Sequence, residues 1–262
     1  MTYTQDVTLS VVQGLAEFLP VSSSAHLLLV PYLLGWPDQG LAIDAMLHAG
    51  TLAALVGYFK QELMAILTQA RGRSLAALIV VATVPAALAG ILFEDVIERR
   101  LRSPAFVAAW SACWAIFMGI ADRQASRPRP GPTDPLPRVT WLQGLGIGLA
   151  QAVALVPGTS RSGATISAGL IVGLDRSTAA RFAFLLGVPV TAGAAALKTL
   201  DLVRGGGVGP AVAGPLFAAF AATVVSGWLA VWFLVSYLRR RSLIPFVLYQ
   251  VALAAVILVI TG

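Results

Sequence analysis

The chain has 262 residues, of which 58% are hydrophobic and only 11% are charged, and its mean hydropathy is +0.83. This apolar excess is too large for a water-soluble core, so the composition indicates an integral membrane protein. The formal net charge is +6, but the basic residues stand in short segments between apolar runs, a membrane pattern that argues against nucleic-acid binding. The single cysteine, Cys113, excludes an internal disulfide and a cysteine-based metal cluster.

The first half of the chain begins with a broken apolar region and continues with three unbroken ones. Region 7–34 is interrupted near Pro20 by a polar run, which leaves arms too short to cross the bilayer comfortably. A helix needs about 17 to 25 residues to cross the hydrocarbon core. The segments at about 42–59, 75–93 and 104–121 reach this length. They are predicted to be transmembrane helices.

The second half repeats this order after a polar stretch. The prolines and charges of Asp122–Arg138 predict an exposed linker. Region 140–174 is then broken near Pro157. Three further segments are long enough to span a membrane, at about 182–200, 211–235 and 243–260. The sequence therefore predicts an all-α polytopic membrane protein with six transmembrane helices.

The two breaks resemble each other. Aligned on their prolines, LPVSSSAH at Leu19–His26 stands opposite VPGTSRSG at Val156–Gly163, 137 residues later. Because a helix broken at membrane depth must be buried in protein or line an aqueous cavity, we interpret both regions as re-entrant helical hairpins. Each half then has one hairpin and three crossings, so the second half enters from the opposite side. This predicts one membrane domain, 1–262, built as an inverted repeat: repeat one 1–121, linker 122–139 and repeat two 140–262.

The basic residues of the loops test this topology, because Lys and Arg accumulate on the cytoplasmic side. Twelve of the 18 fall on one predicted side of the membrane and five on the other, the latter including Lys198 and Arg204. Arg161, at the tip of the second hairpin, is the remaining one. The bias places the mouth of the first hairpin outside the cytoplasm and lets the two tips meet near the bilayer midplane.

Polar residues at these tips predict a binding or catalytic site, because such groups are costly inside a membrane. Gln13 and Glu17 share a helix face, and Ser22, Ser23, Ser24 and His26 follow the break. The second tip offers a glycine-containing loop, Gly158, Thr159, Ser160, Ser162, Gly163 and Thr165, around Arg161. Backbone N–H groups at a helix N-terminus, together with a guanidinium fork, favour a phosphate or diphosphate.

The first tip carries the groups that a hydrolase needs. Glu17 can hold a divalent cation or accept a proton, His26 titrates near neutrality, and a serine between them can act as nucleophile. Phosphoryl transfer depends mostly on positioning and charge neutralisation, so these groups suffice. Attack by Ser23, attack by His26 and activation of water by His26 use the same residues, and the sequence does not separate them.

Each of these residues also has a structural interpretation. Serines commonly join membrane helices, and Glu17 with Arg161 could form a buried ion pair between the repeats. His26 could be a satisfied polar residue at a loop end. Asp44 and His48 share a face in the outer half of the first crossing, where helix packing or hydration explains them equally well.

At both hairpins the chain resembles the bacterial undecaprenyl-diphosphate phosphatases. The matching stretches are QGLAEFLPVSSSAHL (Gln13–Leu27) and LVPGTSRSGATIS (Leu155–Ser167), with similar segments at His48–Leu55 and Phe182–Val190, so the resemblance covers nearly the whole chain. Where the family often has Thr-Gly before the histidine, this chain has Ser24-Ala25. Where the family has Glu or Gln at the first motif position, this chain has Gln13, which makes Gln13 a weaker metal or catalytic candidate than Glu17.

The resemblance implies a multi-pass enzyme of the bacterial inner membrane that removes the terminal phosphate of a C55 isoprenoid diphosphate and recycles the cell-wall lipid carrier. It implies dependence on a divalent cation, calcium or magnesium, held at Glu17 with Gln13 as a second candidate ligand. It also implies Glu17, Ser23, His26 and Arg161 as the core of the site, with the glycine-rich loop as the diphosphate cradle. The sequence does not determine whether the protein forms a homodimer.

A transporter is the rival class, because inverted repeats with broken helices that meet at the midplane also build many secondary transporters. A flippase for a polyprenyl phosphate would use the same anion cradle. Transport requires binding but neither a base nor a nucleophile. Loss of Ser23 or His26 would then reduce affinity without abolishing a chemical step.

Overall fold

The computed structural model describes residues 2–37, 39–101, 103–125, 136–207 and 213–261, without the side chains of 94–96, 98 and 99. The middle of the predicted linker, 126–135, and the first two residues of the predicted span 211–235 lie outside this part. The described residues form eleven helices: α1 Tyr3–Phe18, α2 Ser23–Leu34, α3 Gly40–Tyr58, α4 Lys60–Thr68, α5 Ala70–Arg100, α6 Pro104–Arg123, α7 Trp141–Val153, α8 Arg161–Ile171, α9 Arg176–Arg204, α10 Ala213–Leu238 and α11 Ile244–Thr261.

Six of these helices are long and apolar enough to cross a membrane, and they confirm the six predicted spans. They are α3, the Ala70–Phe93 part of α5, α6, α9, α10 and α11. Helices α5 and α9 begin earlier than predicted, because their first turns carry arginines that an apolar run does not include. Large apolar side chains such as Ile91, Phe217 and Val259 are exposed on these helices, as a lipid-facing surface requires.

The two broken regions are each a pair of short helices, α1 with α2 and α7 with α8. Both pairs start with the same capping box: Thr2 caps α1 together with Gln5, and Thr140 caps α7 together with Gln143. Helix α1 ends two residues before Pro20, and Pro157 is the first proline after α7. Proline has no backbone N–H to donate, so it cannot continue a helix. The predicted breaks are therefore confirmed.

Small residues set the positions of α1 and α7. At Gly14 of α1, an added Cβ would collide with Thr223 and Gly227 of α10, and at Gly148 of α7 it would collide with the backbone of Ala82 in α5. Close helix contacts of this kind are typical of membrane proteins, because glycine lets two backbones approach. Helix α1 therefore packs on α10 and α7 on α5, and these contacts place the two turns that follow.

The structure corrects the start of the predicted linker. Asp122 belongs to α6 and is only 3% exposed. Its Oδ1 accepts hydrogen bonds from Arg176 Nε (2.6 Å) and from the backbone N–H of Leu243 (3.1 Å). Leu136, near the other end of the stretch, is also buried. A charged residue here indicated a solvated loop, but Asp122 instead ties α6 to the starts of α9 and α11.

Candidate active site

Glu17 lies on the last turn of α1. Gln13 is four residues before it on the same face, and its Nε2 donates a hydrogen bond to Glu17 Oε2 (3.1 Å). The Glu17 side chain is 18% exposed, so its carboxylate is largely removed from bulk solvent. A buried carboxylate requires paired donors, and Gln13 is the first of three.

The turn after α1 brings Ser23 to this carboxylate. Ser22 precedes α2 with φ of 68°, the only positive φ at a non-glycine residue in the described part of the chain. Such a conformation is strained by about 1–3 kcal/mol and is found where a turn is held by its surroundings. Here His26 Nδ1 lies 2.8 Å from the Ser22 carbonyl oxygen. The turn points Ser23 Oγ at Glu17, where it donates to Oε2 (2.8 Å).

The second turn, between α7 and α8, presents Arg161 as the first residue of a helix. The N-cap of α8 is Ser160, whose Oγ accepts from the Gly163 N–H (3.2 Å). Gly158 adopts φ of 94°, a left-handed conformation that suits glycine. The turn therefore directs the N-terminus of α8, with its partial positive charge, toward the first turn.

Three contacts join the two turns. Arg161 Nη2 forms an ion pair with Glu17 Oε1 (2.9 Å), Ser162 Oγ donates to the Leu19 carbonyl oxygen (3.2 Å), and the Gly158 N–H donates to Ser24 Oγ (3.2 Å). The residues that bond here are 134 to 144 positions apart in the chain. Glu17 thus binds Gln13, Ser23 and Arg161 together, which brings both halves of the predicted site into one place.

Helices α6 and α11 hold the second turn from behind. The Gly158 carbonyl oxygen accepts from Ser111 Oγ of α6 (2.8 Å) and from Gln250 Nε2 of α11 (3.3 Å). Trp110 Nε1 donates to Thr159 Oγ1 (2.6 Å). Sequence reasoning missed these three residues, because an isolated Trp, Ser or Gln in an apolar helix indicates only packing. They fix the loop that carries Arg161.

Gly158→Ala is expected to destabilise the protein by about 2–5 kcal/mol, measured as thermal unfolding in detergent. The left-handed φ is strained for alanine, and the added Cβ would meet the Val107 carbonyl oxygen and Ser111 Oγ. Gly173→Ala is the matched control, because Gly173 has φ of 88° but no atom within 4 Å of an added Cβ. It should lose only about 1–2 kcal/mol. Equal losses would show that the packing around Gly158 is irrelevant.

A cavity of about 610 Å³ opens beside the joined turns. Seven predicted site residues line it: Gln13, Glu17, Ser23, Ser24, Thr159, Ser160 and Arg161. Polar residues of α3 and α9 and the loop before α3 complete its wall: Gln39, Asp44, His48, Thr191 and Lys198. From the sequence, Asp44 and His48 were as well explained by helix packing or hydration as by a functional role, and Lys198 was counted as a loop charge. All three face the same cavity as Glu17.

The other predicted residues lie outside the cavity lining. Ser22, Gly158, Ser162, Gly163 and Thr165 support the two turns from positions outside the lining. Both nitrogens of His26 are engaged, Nδ1 with Ser22 and Nε2 with the Tyr249 hydroxyl (2.7 Å), and the two rings stack. His26 is absent from the cavity lining in the described part of the chain, and its catalytic role stays a prediction.

The oxygen atoms near Glu17 suit a hard divalent cation. Gln13 Oε1 is buried without a hydrogen-bond partner, an orphaned acceptor beside the carboxylate. Carboxylate, amide and hydroxyl oxygens are the ligands that Ca²⁺ and Mg²⁺ prefer. Among the described residues, three or more His, Cys, Asp and Glu side chains nowhere cluster as a metal site. The protein therefore offers a partial ligand set, of the kind that substrate phosphates complete.

Comparison with known proteins gives the family. The family described as "Bacitracin resistance protein BacA" matches residues 6–256. The chain belongs to the BacA family. It is 44% identical to Undecaprenyl-diphosphatase 2 of Stutzerimonas stutzeri over 99% of this chain and 98% of that protein. It is 41% identical to an undecaprenyl-diphosphatase of Moorella thermoacetica, with the same coverage, and 43% identical to one of Chromohalobacter salexigens over 99% of both chains.

Proposed function

We propose that this BacA-family chain is an undecaprenyl-diphosphatase, which hydrolyses undecaprenyl diphosphate to undecaprenyl phosphate and inorganic phosphate. Full-length relatives at 41–44% identity carry that name. The observation that supports it most is the contact of the two turns, where Glu17 binds Ser23 (2.8 Å) and Arg161 (2.9 Å) beside one cavity. A carboxylate, a hydroxyl and a guanidinium in contact supply a base, a nucleophile and a phosphate-binding group.

Arg161 and the start of α8 hold the diphosphate. The planar guanidinium matches two phosphate oxygens, and the helix N-terminus adds backbone donors. The N–H groups of Gly158, Thr159 and Gly163 are already bonded within the protein, to Ser24, Val156 and Ser160. Of the predicted glycine-containing loop, the part that remains for binding the diphosphate is therefore the start of α8 at Arg161, which lines the cavity.

Ser23 and Glu17 carry out the transfer. Ser23 Oγ forms a bond to the terminal phosphorus, and the bond from that phosphorus to the bridging oxygen breaks. The bridging oxygen and its electron pair leave with undecaprenyl phosphate, and the Ser23 proton passes to Glu17 Oε2, which already accepts that hydroxyl. Glu17 then passes this proton to a phosphate oxygen of the departing undecaprenyl phosphate and is a carboxylate again. In the second step water forms a bond to the phosphorus of the phosphoserine, and the bond from that phosphorus to Ser23 Oγ breaks. Glu17 takes a proton from the attacking water and returns it to Ser23 Oγ, which releases inorganic phosphate. His26 holds the strained Ser22 carbonyl and acts as a positioning residue.

Glu17, with the orphaned Oε1 of Gln13, would hold a calcium or magnesium ion. Such an ion supplies charge neutralisation on the phosphate oxygens, which lowers the barrier to attack by an anionic or polarised oxygen. Glu17 is suited to hold this ion near the reacting phosphate, because its carboxylate contacts both Ser23 and Arg161. Chelator sensitivity of phosphate release tests the proposal.

The two helix pairs act as re-entrant hairpins of an inverted repeat, with repeats 1–121 and 140–262. Helix α1 has 16 residues and α7 has 13, about 24 and 20 Å, which is shorter than a bilayer core of about 30 Å. Three parallels support the repeat: the shared capping box, the packing of α1 on α10 and of α7 on α5, and the contact of the two turns. Association of two copies stays a prediction.

The cavity opens toward the outside of the inner membrane, where spent carrier is released. Cysteines placed at exposed Thr4 and Gln69, in a Cys113→Ala background, test this with a membrane-impermeant thiol reagent. Thr4→Cys should label in intact cells, because the N-terminus of α1 is external. Gln69→Cys should label only after permeabilisation. The reversed pattern would invert the topology.

Gly187 of α9 allows Arg161 to reach Glu17. An added Cβ at Gly187 would collide with Arg161 Nη1. Gly187→Ala is therefore expected to reduce phosphate release at least tenfold, because the displaced guanidinium misplaces the substrate. Gly193→Ala is the control on the same helix, since an added Cβ there meets no atom within 4 Å. Similar turnover in both variants would contradict the assigned position of Arg161.

Reconstituted vesicles separate hydrolysis from transport. Purified protein in liposomes that contain a long-chain polyprenyl diphosphate should release inorganic phosphate when magnesium is present, and a chelator should stop the release. A flippase would instead move the intact lipid between leaflets without releasing phosphate. Movement of intact lipid by folded protein, with no phosphate produced, would overturn the proposed function.

A further inference from the structure

The charges at the joined turns cancel. Glu17 and Arg161 form an ion pair of 2.9 Å, and both side chains are largely buried, at 18% and 16% exposure. A diphosphate headgroup brings several negative charges to this place, and an anion that enters a low-dielectric site needs opposite charge nearby. One guanidinium, already paired with a carboxylate, leaves most of that charge to be balanced by a bound divalent cation and by other side chains of the cavity.

Lys198 supplies a second cation in the same cavity. Val190, Ala194 and Lys198 are spaced four residues apart on α9, and all three line the cavity, so one face of the helix forms this wall. Lys198 is half-buried, and within the described residues its ammonium has neither an ion pair nor a hydrogen-bond partner. A half-buried ammonium without an anionic partner indicates a binding group.

The acid of α3 in this cavity does not form an ion pair with Lys198 in the described part of the chain. Asp44 lines the same cavity, but its Oδ1 accepts from Gln39 Nε2 (3.0 Å), and no ion pair within 4 Å joins it to Lys198 in the described part of the chain. His48 also faces the cavity, with Nδ1 bonded to the Asp44 carbonyl oxygen (2.9 Å). Among the described residues that line this cavity, Lys198 is therefore the permanent cation without an anionic partner.

Helix α9 fixes the separation between the two cations. Gly187 touches Arg161, and Lys198 follows eleven residues later on the same face, about 16 Å along the axis. Helical side chains tilt toward the N-terminus of their helix, so the flexible stem of Lys198 can carry its ammonium part of this distance toward Arg161. A diphosphate, with two linked phosphate groups, spans more of the remaining distance between the two cations than a monophosphate does.

We propose that Lys198 is a second phosphate-binding group, which pairs with Arg161 so that the cavity selects a lipid diphosphate over a lipid monophosphate. Arg161 binds one phosphate and Lys198 the other. A free lipid monophosphate has one phosphate group and binds at Arg161 alone, so the cavity holds it more weakly than the diphosphate. This inference rests on the proposed function, because it concerns the same headgroup.

The test compares binding of two probes, farnesyl methylenediphosphonate, which cannot be hydrolysed, and farnesyl monophosphate. Calorimetry in detergent with magnesium measures both affinities for wild type and Lys198→Gln. The variant should bind the diphosphonate about tenfold more weakly, as expected for one lost charge-assisted contact, and the monophosphate as wild type does. Lys198→Arg should restore most of the preference.

Arg204→Gln is the matched control, because Arg204 ends the same helix, is exposed and lies outside the cavity lining. It should leave both affinities unchanged. Equal weakening of both probes in Lys198→Gln, an unchanged diphosphonate affinity, or no preference in wild type would each overturn the proposal. Phosphate release by wild type is measured separately, so a missing hydrolase activity is distinguishable from a missing role of Lys198.

Discussion

Glu17→Gln is expected to reduce phosphate release about a thousandfold, since general-base and electrostatic contributions of this kind reach two to four orders of magnitude. Glutamine keeps the size of the side chain but cannot accept the Ser23 proton or offset the charge of Arg161. Glu17 is bonded to Gln13, Ser23 and Arg161, so one substitution disturbs all three of these contacts. Initial rates with purified protein measure the effect.

Glu62→Gln is the control for this variant. Glu62 pairs with Arg181 at 2.9 Å, with 15% exposure, and so resembles Glu17 in distance and burial while it lies outside the cavity lining. It should lose stability without a comparable loss of turnover. Glu17→Gln with near-normal rates, or equal losses in the two variants, would remove Glu17 from the chemistry.

Arg161→Lys is expected to reduce phosphate release about a hundredfold, mainly through the chemical step. Lysine keeps the positive charge but replaces a planar fork by a point charge, so it cannot hold two phosphate oxygens and Glu17 in one fixed geometry. Lysine can still form an ion pair with Glu17, so the protein should remain folded. Unfolding temperature and steady-state rates, measured on one preparation, separate these effects.

Arg181→Lys provides the comparison for Arg161→Lys. Arg181 also lies between two helices and also binds a glutamate, Glu62, at 2.9 Å. A lysine at 181 should leave turnover close to that of wild type. If lysine at 161 were equally harmless, Arg161 would be a structural ion-pair partner rather than a phosphate ligand.

The spans and the two breaks were predictable because they depend on local composition. An apolar run of sufficient length crosses a membrane, and a proline beside polar residues ends a helix. Asp122 shows where this reasoning fails. Its carboxylate looks like part of a solvated loop, but Arg176 and Leu243, distant in sequence, bury it. Burial of a charge depends on tertiary partners that a local pattern does not contain.

The candidate site was also predictable only in part. Two motifs that both carry polar groups at a break identified Glu17, Ser23 and Arg161, which the structure brings together. The cavity wall was missed, because Asp44, His48 and Lys198 stand in α3 and α9 as isolated polar residues with ordinary structural explanations. Only helix packing reveals that they face one cavity. His26 was selected by its motif, but its ring bonds to Tyr249 and Ser22.

In the proposed phosphatase site the two turns act together, and the rate of phosphate release by the Glu17→Gln/Arg161→Lys double variant tests this most directly. When two residues act as a unit, removing one already removes the contribution of both. The double variant should therefore be about as slow as Glu17→Gln alone. The substrate is a long-chain polyprenyl diphosphate, with wild type and both single variants assayed alongside. Losses that multiply, or a folded wild type that binds the lipid without releasing phosphate, would contradict the account.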